Sequence, residues 1–134
     1  MGKQPYATFD YSELPIVKIE FTGEKATDEN FKNYLEETAA IPSKTDRYIS
    51  IMDTSKASYL EAKYRIMQGK YLEENKERIE KQAIAAIFIA PSFLHRTVLK
   101  AIFLVKTYPS PVFIVSSEEE ASEKVNELLE EEKS

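Results

Sequence analysis

From Ala83 to Ala90 the sequence runs Ala-Ile-Ala-Ala-Ile-Phe-Ile-Ala, eight residues without a polar side chain. That is far short of the roughly 20 residues a membrane-spanning helix needs. It also lacks the polar–apolar alternation of a strand with one wet face. A short, continuously apolar run of this kind marks a central parallel strand covered on both faces. Such a strand obliges the chain to supply helices for its cover, which points to an alternating α/β fold.

The rest of the sequence meets that demand. Tyr6–Tyr11 alternates weakly and reads as an edge strand. Leu14-Pro15 turns it into Ile16–Phe21, a stronger strand stopping at Gly23, and the two form an antiparallel pair. Thr27 or Asp28 caps a helix with Phe31, Tyr34, Leu35 and Thr38 at helical spacing, ending before Ile41-Pro42. Tyr48–Met52 is the next strand, closed by Asp53-Thr54-Ser55.

Ser58 and Glu61 fit a capping box, in which serine and glutamate satisfy each other's free backbone N–H groups. The long helix they open carries the stripe Leu60, Tyr64, Met67 and Tyr71, then a charged segment where Glu74/Arg78 and Glu77/Lys81 can pair. Pro91-Ser92 starts a third helix that runs to about Thr107 and is broken by Pro109-Ser110-Pro111. Val112–Val115 is the last strand. Ser117 and Glu120 form a second capping box, opening a final helix that buries Ala121, Val125, Leu128 and Leu129. The expected order is β-β-α-β-α-β-α-β-α, a mainly parallel five-stranded sheet with helices on both faces. No repeat or linker divides the 134 residues, so one domain is expected over 1–134, with its core at about 6–129 and an acidic end at 130–134.

Composition removes several activities. There is no cysteine, hence no thiol nucleophile, disulfide or cysteine-held metal. A single histidine excludes a multi-histidine metal site. Net charge −5 argues against a nucleic-acid partner. No Gly-x-Gly-x-x-Gly or Gly-x4-Gly-Lys-Ser/Thr loop is present to cradle a nucleotide phosphate. Met1–Tyr6 has no apolar run after its charge, and Tyr6 stands where a myristoylation signal wants Ser or Thr. A cytoplasmic protein without membrane insertion is the expectation.

The element order, the strand end Asp53-Thr54-Ser55, and the segment from His95-Arg96 through Tyr108-Pro109, Val112-Phe113 and Glu120-Ala121 together resemble the SpoIIAA-like (STAS-type) family. The likeness is greatest to its short bacterial members, described as STAS/SEC14-like, and covers about Tyr6 to Leu129. The resemblance implies a STAS-like fold and a bacterial, non-enzymatic module, without metal or cofactor, that dimerises or binds a regulatory protein. In STAS anti-sigma-factor antagonists a phosphorylatable serine lies in an Asp-Ser-Ser-Gly motif at the start of the second long helix. The matching stretch here is Ala57-Ser58-Tyr59-Leu60, without the acid or the glycine. Tyr59 falls where the phosphoserine would be, and Ser58 is the nearest hydroxyl. The SEC14 side of the resemblance implies an alternative, a small carrier of an apolar ligand.

Ligands of open α/β sheets sit beyond the carboxyl ends of the strands. Those ends carry Gly23-Glu24, Asp53-Thr54-Ser55, Ala90-Pro91-Ser92 and Ser116-Ser117. Asp53, Thr54, Ser55 and Ser58 make a candidate phosphoacceptor or regulatory loop. A receiver-type phosphoaspartate at Asp53 would also need metal-binding carboxylates and a cation near the last strand; only Glu24 and Ser116-Ser117 stand there. Ser92 and Arg96, with the first turn of the third helix, form a candidate anion contact. Asp53, His95 and Ser116 compose an enzyme-like edge on paper, yet no nucleophile elbow accompanies them.

The third helix is apolar nearly all round. On a helical wheel Leu94, Val98, Ala101, Ile102 and Val105 form one stripe, read as its core face. Leu99 and Phe103 fall on the other side among Arg96, Lys100 and Lys106, and are read first as a face for a second subunit or a partner, with cover by the chain's own terminus or a neighbouring helix, or an apolar-ligand groove, as the alternatives.

Overall fold

A computed structural model describes residues 4–57, 59–105 and 108–133. Ser58 and Thr107 lie outside the described residues, as do the side chains of Ile102 and Val105. The five strands are β1 (Ala7–Glu13), β2 (Ile16–Phe21), β3 (Tyr48–Asp53), β4 (Ala83–Ile89) and β5 (Val112–Val115). They lie side by side in chain order. β1 runs antiparallel to β2 through the Leu14-Pro15 turn, whose peptide is cis, and every later pairing is parallel. The helices are α1 (Asp28–Ala40), α2 (Ala62–Glu74), α3 (Lys76–Gln82), α4 (Phe93–Val105) and α5 (Glu118–Lys133).

This strand order dictates where the helices go. When each parallel strand is laid next to its predecessor, right-handed crossovers all fall on the same side of the sheet. One face therefore receives α1, α2, α3 and α4, packed on Val17, Ile19, Phe21, Tyr48, Met52, Ala86 and Phe88. The final helix α5 is not a crossover and is free to take the other face. Its Ala121, Val125 and Leu128 close over Ile49, Ile51, Ala85, Ile87 and Ile89. β4 thus feeds both layers, as its unbroken apolar run requires. The first two strands are wet on the α5 side, with Thr8, Asp10, Lys18 and Glu20 exposed.

Local signals set the helix starts with unequal success. Thr27 caps α1: its hydroxyl accepts from Asn30 N at 3.1 Å, and Asn30 Oδ1 accepts from Thr27 N at 2.8 Å. Ser117 Oγ accepts from Glu120 N at 3.2 Å, while the Glu120 carboxylate reaches one residue further back, to Ser116 N at 3.1 Å. The second helix departs from expectation. It starts at Ala62, with Glu61 as an N-cap whose side chain makes no capping bond. The long helix is also two, because Asn75 leaves helical geometry and Arg78 Nη2 donates to Asn75 Oδ1 at 2.7 Å.

The helix-side layer is aromatic. Tyr6 sits within 5.3–5.6 Å of the Phe21, Phe31 and Tyr34 rings, in edge-on geometry that adds to plain area burial. Phe31 is fully buried. Phe31→Ala should lower the unfolding free energy by about 3–5 kcal/mol, read as a lower midpoint in urea melts.

Burial also raises the tyrosine pKa values here: Tyr48 is pushed up to about 12, and Tyr34 and Tyr108 are raised as well. A folded pKa above the unfolded value favours the native state while the phenol stays protonated. Stability should therefore hold up to pH about 10, the unfolded tyrosine value, and be lost as pH rises from there towards 12. Urea melts across that range check this.

Candidate functional site

Two regions were marked by the sequence: the carboxyl edge of the sheet and the helix that follows β4. At the edge, Asp53 Oδ1 accepts from Ser55 N at 3.0 Å and from Ser55 Oγ at 2.7 Å, a local turn of the kind short acidic side chains make. Thr54 is buried, and its N and Oγ both donate to Ile89 O, at 3.0 and 2.7 Å. The loop is thereby stitched to the end of β4, and a kinase reaching it would meet Ser55, not Thr54. Gly23 adopts φ 93°, and a Cβ there would lie 3.2 Å from Lys56 O. Only glycine lets the two loops approach so closely.

Arg96 folds back on the strand end, its Nη1 donating to Ala90 O at 2.9 Å and Pro91 O at 2.8 Å. Ser92 Oγ accepts from His95 N at 3.4 Å, a weak cap for α4. Ser116 bonds the Glu120 carboxylate through both N and Oγ. Asp53, His95 and Ser116 thus make no hydrogen bond to one another, each being bonded within its own loop or helix turn. Among the described residues no group of three or more His, Asp or Glu side chains could hold a metal ion. No described helix is long and apolar enough to cross a membrane.

The helix after β4 corrects the sequence reading. Leu99 and Phe103, expected to form the outward partner face, turn inward and pack on the aromatic layer. The Phe103 ring lies 5.1 Å from Phe88 and 5.8 Å from Tyr108. The expected core stripe points the other way: Leu94 is 72% and Val98 49% exposed, joined by Phe93 at 77% and Leu104 at 88%. The physical reason is that a helix apolar all round has no polar side to fix its rotation. Ring packing against Phe88 and Tyr108 decides instead, and it draws in Phe103. The remaining signal in the sequence was the i,i+4 pair Leu99/Phe103 itself, the one that brings an aromatic ring over β4.

The outward face of α4 is therefore an apolar strip of three helical turns, with Phe93 and Leu104 at its ends and Thr97, Lys100 and Ala101 exposed between them. Four large apolar side chains exposed along one helix, Phe93, Leu94, Val98 and Leu104, are the mark of a contact surface. The chain was compared with protein-family models, curated proteins and solved structures, and none matches.

The rotation of α4 makes a sharp prediction for adjacent residues. Phe103→Ala should destabilise the fold by about 2–4 kcal/mol, whereas Leu104→Ser should stay within about 0.5 kcal/mol of the parent. Paired urea melts of the two variants read the difference.

Proposed function

We propose that this protein is a STAS-like interaction module of the bacterial cytoplasm, without catalysis of its own, which associates through the outward face of α4. The observation that carries the reading is the exposure of Phe93, Leu94, Val98 and Leu104 along one helix. Covering such side chains removes apolar area from water, about 25 cal/mol per Å², and supplies the driving force for association. Support for the STAS-like part comes from the element order and from a sheet whose antiparallel first strand precedes four parallel ones.

Self-association is the first form to test, because it needs no unknown partner. The carrier alternative needs an enclosed apolar space of a few hundred Å³. The cavity between the sheet and its helices measures about 30 Å³, which gives that reading no support.

Size-exclusion chromatography with light scattering should give the parent a mass above the 15.4 kDa of one chain. The mass should rise with concentration over the micromolar range. Leu104→Glu should return it to a single chain at unchanged melting temperature. A parent protein that stays at one chain throughout contradicts the self-association form.

A further inference from the structure

At the amino ends of the parallel strands, opposite the edge described above, lies a cavity of about 30 Å³. Its walls come from β2, β3, β4, α1 and the turn after it, α2, α3 and the segment leading into β5. Most of the lining is apolar, but hydroxyl-bearing residues also contribute to it: Thr38, Ser50, Ser110 and the tyrosines 48, 71 and 108. Ser50 is an anomaly by itself, the only polar residue in the apolar run Tyr48–Met52, and it is buried on a central strand.

Ser110 supplies the second, independent observation. It is 8% exposed, and its Oγ is buried without a hydrogen-bond partner among the described residues. A buried hydroxyl left unpaired costs about 1–3 kcal/mol, and native proteins seldom carry that cost. Its neighbour across the peptide is well paired, since Pro111 O accepts from Ala86 N at 2.9 Å. The backbone of this segment is therefore anchored, and the serine hydroxyl cannot escape to solvent without breaking that anchor.

We infer that the cavity beside Ser110 is a binding site for one or two ordered water molecules, which satisfy its hydroxyl and tie the segment before β5 to Ser50 of β3. Size and polarity agree on this occupant. A water needs roughly 10–15 Å³ and two to four polar partners; the space holds that, with several hydroxyls around it, and is too small for an organic ligand. The Thr38 hydroxyl already donates to Tyr34 O at 2.8 Å and retains lone pairs to accept with. The bound water makes the amino end of the sheet a hydrated seam within an otherwise apolar layer.

Oxygen-17 magnetic relaxation dispersion counts long-lived waters without interference from exchanging hydroxyl protons. The parent protein should show them, and Ser110→Val, whose second methyl takes the water's position, should lose one or two. Its melting temperature should fall by several degrees because Ser50 loses its bridging partner. An unchanged dispersion amplitude in folded Ser110→Val overturns the inference, as does a raised melting temperature, the result of filling a dry void. Should that variant not fold, Ser50→Val enters the same cavity from β3 and is read by the same two outcomes.

Discussion

Burial of β4 on both faces is the constraint from which the remaining architecture follows. A strand made only of Ala, Ile and Phe can exist in water only if both of its sides are covered. Three parallel neighbours added in chain order put every crossover helix on one side, leaving the other face open. That is why the last helix, which has no strand to return to, matters to the fold out of proportion to its polar sequence. Ala121, Val125 and Leu128 are its buried anchors, and Arg47 clasps its far end through Glu132.

The same asymmetry shapes what the surface offers. Helices α1 and α2 are bound to each other as well as to the sheet: the Tyr64 hydroxyl donates to Asp28 Oδ1 at 2.9 Å, and Lys63 pairs with the same oxygen at 2.6 Å. Those bonds hold the Asp28 carboxyl below its ordinary pKa. Among the described residues, the outer side of α4 makes no such polar tie to another helix. The inner side of α4 is fixed by rings, and its outer side exposes Phe93, Leu94, Val98 and Leu104. The carboxyl edge beneath it is closed by its own hydrogen bonds, with Asp53, Thr54 and Arg96 each bonded to neighbouring loop or strand atoms. The described side chains of that edge are thus committed to bonds within the fold, while large apolar side chains stand exposed on α4.

Strands were legible in the sequence because their signals are local and redundant. The runs at Ile16–Phe21, Tyr48–Met52, Ala83–Ala90 and Val112–Val115 each carry their own pattern, and the structure departs from them by a residue at most. Caps were legible where side chain and backbone sit within one turn, as at Thr27. What could not be read was any choice made between elements. The rotation of α4 depends on Phe88 and Tyr108, which lie outside the helix, and a wheel confined to the helix assigns its faces the wrong way round. The break at Asn75 is likewise invisible, since Glu, Asn and Lys are all acceptable helix residues. Ser50 and Ser110 stood in plain view as polar residues within apolar surroundings, but only their meeting across the cavity gives them a role.

The absence of cysteine makes the central claim directly measurable, because single cysteines can be introduced on α4 against a silent background. The measurement is the thiol reaction rate at positions 93, 99, 103 and 104, followed as protein concentration is raised. If α4 is rotated as described and associates through its outer face, 93 and 104 react fast in dilute solution and become protected on concentration, while 99 and 103 stay slow throughout. Fast reaction at 99 and 103, or rates at 93 and 104 that ignore concentration, would contradict it.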